Sequence, residues 1–298
     1  MSKAETALLI DFGSTYTKLR AIDLAAACVI GSGQGPSTVD TDINEGLTAA
    51  LADLEAQLGA LPDFNHRLAS SSAAGGLRMV TVGLVRELTA EAACRAALGA
   101  GAKLVGTFAY QLTPADVAQI VALAPDILML TGGTDGGNVD VIRENADRLA
   151  LAELCCPVVV AGNRAVADEV ATVLDEVGLA VTVTDNVMPE FNTLNIEPAR
   201  AAIRRLFIDR IVHAKGIDRA RKMFDAVLMP TPAAVLEGAR LLADGSTETP
   251  GLGSLVVVDV GGATTDVHSI ADGSPTGDSV IEHGLPEPYA KRTVEGDL

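Results

Sequence analysis

Two segments, one near each end of the chain, share a single design, and that duplication constrains the fold more than any other feature. LLIDFGSTYTKLRAI begins at residue 8 and VVVDVGGATTDVHSI begins at residue 256. Each has an apolar strand, an Asp-x-Gly step, a small hydroxyl-rich turn and a second strand. Asp11 and Asp259 stand at the ends of apolar strands, where a carboxylate can hold Mg2+ through water, because Mg2+ keeps most of its hydration shell. Gly13, and Gly261 with Gly262, let the backbone turn tightly. The following N–H groups and the hydroxyls of Ser14, Thr15, Thr17, Thr264 and Thr265 are then available to phosphate oxygens. Lys18 adds a cation to the first turn and Asp266 a further carboxylate to the second. Either motif alone reads equally as an ordinary hairpin with hydroxyls at its turn. Two matching hairpins facing one another can clamp a triphosphate and its metal from both sides, as phosphoryl chemistry by positioning requires.

Between the hairpins the pattern changes. Residues 7 to 35 read as an antiparallel meander of three strands, followed by a helix from Asn44 to Leu58 that stops at Gly59. From about Leu88 helices and strands alternate: LVGTFAY, ILMLT, PVVVAG and AVTVTD are separated by helical stretches, and Thr113, Pro114 and Asp116 open one of these helices. Such alternation predicts a parallel, doubly wound sheet. Residues 88–190 are therefore expected to form an inserted Rossmann-like module, flanked by a first subdomain (1–87) and by helices returning to the second hairpin (191–298). A helix from Pro198 to Lys215 and one opened by Thr231 and Pro232 belong to that last part.

The whole chain suits a soluble α/β protein. Its 298 residues are 48% hydrophobic, only 3% aromatic, and contain no Trp, so the core must be built from Ala, Val, Leu and Ile. The net charge of -17 disfavours a nucleic-acid partner. Cys28, Cys94, Cys155 and Cys156 lack metal-site spacing and read as reduced, mostly packed thiols; His66, His213, His268 and His283 are scattered. His268 follows Asp266 by two residues, but the cobalamin signature D-x-H-x-x-G requires glycine where Ala271 stands. No signal peptide or stretch long enough to span a bilayer is present, and a cytoplasmic location is expected. The loop Gly132 to Asn138 follows a buried strand and reads as a tight turn or as a small-ligand or partner site.

The segments DFGSTYTK, ASSSAAGGLRMVTVGLV, ILMLTGGTDGGN, DVGGATTD and LPEPYAKRTVEGDL resemble the MutL (GlmL) accessory proteins of adenosylcobalamin-dependent glutamate mutase. These belong to the actin, Hsp70 and sugar-kinase ATPase superfamily. The resemblance implies a ribonuclease-H-like actin-type ATPase core, with Asp11, Gly13, Ser14, Thr15, Thr17 and Lys18 as a first phosphate motif. Asp259, Gly261, Gly262, Thr264, Thr265 and Asp266 are the second; Asp11, Asp259 and Asp266 would take the catalytic part, with Asp11 and Asp259 serving Mg2+. It implies ATP as ligand and a cobalamin-dependent mutase as partner, for which the protein acts as a reactivating factor or chaperone. A small-molecule kinase and a non-catalytic binding module are the alternatives. Members of the superfamily continue into a full second domain, which is incomplete at residue 298, so this chain is expected to bind ATP weakly. Oligomeric state is not legible.

Overall fold

The computed structural model describes residues 5–38, 42–72, 77–214, 225–262, 264–273, 285 and 287–295. The chain is a mixed α/β protein, and its described residues form three sheets. The first begins with β1 (Thr6–Phe12), β2 (Tyr16–Asp23) and β3 (Cys28–Pro36), an antiparallel meander, after which α1 (Ile43–Leu58) leads to β4 (His66–Ser71). β4 lies parallel to β1, and β10 (Ala226–Pro230) lies parallel to β4, giving the order β10-β4-β1-β2-β3. Alternation along β1 puts Leu8, Ile10 and Phe12 under α1, where they meet Leu47, Ala50 and Leu54.

β3 runs through GSGQG to Pro36, a stretch whose glycines would be expected to weaken a strand. Gly31, Gly33 and Gly35 instead form a side-chain-free stripe on which α1 rests: a Cβ on Gly33 would stand 2.3 Å from the Ala50 carbonyl oxygen. Asp42 caps α1 by accepting the Asn44 N–H, and Gly59 ends it at φ 79°.

The second sheet is wholly parallel. It contains β5 (Leu77–Gly83), β6 (Ala102–Ala109), β7 (Ile127–Leu130), β8 (Val158–Val160) and β9 (Val181–Val183), in the order β6-β5-β7-β8-β9. The division of the sequence at 87/88 cuts this sheet, since β5, assigned by pattern to the first subdomain, lies between β6 and β7. β5 was misplaced because a strand buried on both faces looks alike in either neighbour. One face, with Met79, Ile127, Met129 and Val159, packs on α2 (Glu91–Gly99) and α6 (Glu197–Ala214) and joins the core beneath the first sheet. The other, with Val80, Val82, Leu128, Leu130, Val158 and Val160, is covered by α3 (Pro114–Leu123), α4 (Asp140–Ala150) and α5 (Ala167–Glu176). Burial on both faces explains why the inner strands β7 and β8 are unbroken apolar runs. The predicted capping box of α3 is present, with Thr113 and Asp116 bonded reciprocally. Before α2, Thr89 lies in a π-helical turn (Arg86–Ala90) and its hydroxyl accepts the N–H groups of Leu84 and Val85.

The third sheet is antiparallel: β11 (Leu255–Val260), β12 (Thr265–Ile270) and β13 (Ala290–Glu295). Its inner face rests on α7 (Thr231–Asp244) through Leu236, Ala239, Ala243 and Ile270. β11 pairs with β12 alone among the described strands, and Val256, Val258 and Val260 are exposed. The expected helix end at Lys215 and the residue Ala263 at the second hairpin's tip lie outside the described residues. No helix among the described residues is long and apolar enough to cross a membrane. Cys156 is buried and Cys94 half-buried, whereas Cys28 and Cys155 are exposed, contrary to the expectation of mostly packed cysteines.

Candidate functional site: two matched hairpins

The duplicated sequences fold into duplicated geometry. Gly13 N–H donates to the Tyr16 carbonyl at 3.0 Å, and Gly261 N–H donates to the Thr264 carbonyl at 2.9 Å. Across the first hairpin Asp11 pairs with Lys18 and Phe12 with Thr17; across the second, Asp259 pairs with Asp266 and Val260 with Thr265. The two registers are identical, so Asp259 occupies in the second hairpin the place of Asp11 in the first. The hairpins meet at their tips. A Cβ on Gly262 would lie 2.0 Å from Thr15 Oγ1, a contact only a glycine allows.

Asp11 is held by two hydroxyls. Thr231 donates to its Oδ1 at 2.6 Å and Ser70, on neighbouring β4, at 3.3 Å. Thr231, expected to open the helix as its cap, is instead the first residue of α7, with Pro230 at the N-cap position and no side-chain cap, and its hydroxyl serves Asp11. Burial raises the Asp11 pKa, opposed by the Thr231 bond, the Lys18 charge and the Ser70 bond, while the nearby Asp259 charge raises it further. Two carboxylates within electrostatic reach, one of them costly to ionise, form a place that a divalent cation would relieve.

A cleft runs from Asp259 toward β13; Thr231, which bonds Asp11, lines it, whereas Asp11 itself does not. The lining includes Ser14, Ser71, Ser72, Lys103, Thr231, Asp259, Gly261, Thr264, Asp266 and Arg292. Asp266 is buried; its Oδ1 accepts Arg292 Nε at 3.0 Å and Nη2 at 2.7 Å. Thr264 donates to its other oxygen at 3.4 Å. Arg292 Nη1 then reaches the carbonyls of Leu98 at 3.1 Å and Ala102 at 2.8 Å. Burial lowers the Arg292 pKa while the Asp266 charge holds it up.

Two predicted phosphate contacts face elsewhere. Thr17 is buried with Leu19 on the α1 side of β2, opposite to Lys18, and its hydroxyl has no hydrogen-bond partner among the described residues. Thr265, its counterpart, alternates to the face opposite Asp266. The period of two in a strand moves both threonines off the acidic face, which a reading of motif composition did not weigh. Conversely, Ser70, Thr231, Lys103 and Arg292 were missed as site residues, because they come from segments far apart in sequence. Only the Thr-Pro step at Thr231 carried a local signal, and it pointed to a cap.

His268 is a strand residue, as its alternation predicts, and is fully buried with both ring nitrogens unpartnered among the described residues. Burial, and then the Arg292 charge, lower its pKa. The Gly132–Asn138 loop is filled by the protein's own amides: Asn163 bonds Gly136, Gly137 and Asn138, and Asn186 bonds Gly133 and Asp135.

Among the described residues no group of three or more His, Cys, Asp or Glu could hold a metal. A pair of carboxylates with water completing the shell suits Mg2+ in particular.

These features define a class: an α/β protein whose two Asp-Gly hairpins of identical register meet over a shared cleft. The MutL protein family matches residues 7–298, and the chain belongs to the MutL family. It is 52% identical over 292 residues to Protein MutL of Clostridium tetanomorphum, a match covering 98% of this chain. The chain spans 63% of the length of that relative. Among solved structures, ethanolamine utilization protein EutJ from Carboxydothermus hydrogenoformans is 17% identical, with 67% of this chain and 90% of that chain covered and a TM-score of 0.18. That likeness is too slight to bear on the fold.

Proposed function

We propose that the cleft between the hairpins binds a Mg-nucleotide, and that the protein is an ATP-binding accessory factor for an adenosylcobalamin-dependent mutase such as glutamate mutase. The observation that carries the first part is the meeting of two hairpins of equal register, with Asp11 and Asp259 in equivalent places. In this reading the first and third sheets belong to a ribonuclease-H-like, actin-type ATPase core, and the parallel sheet is a module inserted into it.

Asp11 and Asp259 would hold Mg2+ through water, and the ion when bound offsets charge on the phosphate oxygens. The chain's own groups do the rest. Gly13, Gly261 and Gly262 bring backbone close to an anion, and Ser14 and Thr264 line the cleft as hydroxyl donors. Thr231 and Ser70 fix the Asp11 carboxylate in one orientation. Membership of the MutL family supports the mutase as partner, and the reactivating or chaperone-like role is proposed on that ground.

The test is calorimetry with Mg-ATP on the wild type, Asp11→Ala and Asp259→Ala. Each variant should weaken binding by at least about tenfold, the scale of a lost charge-assisted contact. Binding by the wild type that both variants retain would refute the metal roles. Co-purification with a cobalamin-dependent mutase, promoted by ATP, checks the partner.

A further inference from the structure

The cleft has more than two walls. Besides the hairpins, its lining includes Leu77, Gly101 and Lys103, which belong to the parallel sheet and the turn before it. Lys103 is the second residue of β6, the edge strand of that sheet. Two cations line the cleft, Lys103 and Arg292. Arg292 is committed to Asp266 and to two carbonyls. Lys103 has no ion-pair partner among the described residues, which leaves its charge for a ligand.

Its position is fixed from the second hairpin. Asp266 holds Arg292, and Arg292 grips the carbonyls of Leu98 and Ala102, the latter being the residue immediately before Lys103. The buried pair thus ties β12 and β13 to the α2–β6 turn. A half-buried lysine at the rim of a cleft that also holds Asp259 and two hairpin turns is placed to meet an anion whose other oxygens face those turns.

We infer that Lys103 is a phosphate-contacting residue supplied to the cleft by the parallel sheet, with Asp266 and Arg292 as its positioning residues. Occupancy of the cleft by a nucleoside polyphosphate is thereby felt in β6 and, through it, in the sheet that carries the outer helices. This rests on the nucleotide reading above and adds a coupling between nucleotide and module, since a ligand that contacts two bodies stabilises their docked arrangement.

The experiment compares wild type, Lys103→Met, Lys103→Arg and Asp259→Ala by Mg-ATP titration, by melting without ligand, and by hydrogen exchange of β5 and β6 with and without Mg-ATP. Lys103→Met should weaken binding about tenfold or more with the ligand-free melting temperature nearly unchanged, and Lys103→Arg should recover most of it. Mg-ATP should slow exchange in β6 of the wild type and leave β6 of Lys103→Met unaffected. Equal binding by wild type and Lys103→Met, with Asp259→Ala impaired, overturns the role of Lys103 and leaves the nucleotide reading standing. A wild type that shows no response to Mg-ATP by any of these measures overturns both.

Discussion

Asp11 is where the cost of the site is concentrated. Its carboxylate is removed from water and shares the neighbourhood of Asp259, so its folded pKa lies above the ordinary carboxylate range. The folded state therefore holds this proton more tightly than the unfolded state does. The group favours folding below its unfolded pKa, and that contribution is lost as pH rises through the raised folded value. Asp11→Asn keeps an oxygen to accept the Thr231 hydroxyl and removes the charge. It should melt at a higher temperature than wild type at neutral pH, with the gap closing as the pH falls through the raised folded pKa and below the unfolded one of about 3.9. Thermal melts of both proteins across this range, without metal, provide the check. A gap that widens toward acid would show that Asp11 is stabilised as an anion. His268 behaves in the opposite sense: its lowered pKa keeps a buried ring neutral, and protonation on acidification opposes folding.

At the scale of elements, the two hairpins are held at a separation set by one glycine. Gly262→Ala places a methyl 2.0 Å from Thr15 Oγ1, so the tips part or the Thr15 side chain turns away. Thr15→Ala removes that hydroxyl and leaves Thr15 Cβ, which is 3.2 Å from the new methyl, so that a small shift relieves the contact. Gly262→Ala alone should weaken Mg-ATP binding by about tenfold or more, and adding Thr15→Ala should restore part of it, a coupling that residues in direct contact show. Additive losses in the double variant, measured by the same titration, would place the hairpin tips farther apart. Much at this scale was legible in the sequence. The meander, α1 with its Gly59 stop, the capping box of α3 and the strands β6 to β9 follow from period and turn chemistry. What was not legible has physical causes. Strand β13 (AKRTVE) is mostly polar, and strand β10 (AVLMP) is five residues that end in proline, so neither carries an apolar alternation of its own. The role of the β3 glycines as a seat for α1 shows only when the helix is laid on them. Thr17 and Thr265 were assigned by residue type, and strand alternation turned them away. Thr231, Lys103 and Arg292 converge only in three dimensions.

The whole molecule is unevenly built, and its weakest part carries half of the site. The first and second sheets share one apolar core, in which Phe12, Leu19 and Leu47 are continuous with Met79, Ile127 and Met129 through α2 and α6. Those two sheets should open together. Among the described residues the third sheet rests on a small buried cluster, Leu236, Ala239, Ala243 and Ile270, and exposes Val256, Val258 and Val260. Its firmest tie to the rest is polar: Arg292 and Asp266, with side chains only 3% and 6% exposed, bonded to each other and to the α2–β6 turn. Small apolar cores open at lower free energy than large ones, so native-state hydrogen exchange should report β12 opening at less denaturant than β1 or β7, and β1 and β7 opening at one common value. Arg292→Ala leaves the Asp266 carboxylate buried and unpaired, a loss of about 3–5 kcal/mol in such settings. It should lower the opening free energy of β11, β12 and β13 while leaving that of β1 and β7 within error, because the large core is untouched. A uniform fall in all five strands would show that the three sheets unfold as one body. Selective loosening of the third sheet would mean that the second hairpin can leave the first without unfolding the protein, and that whatever fills the cleft stabilises their meeting.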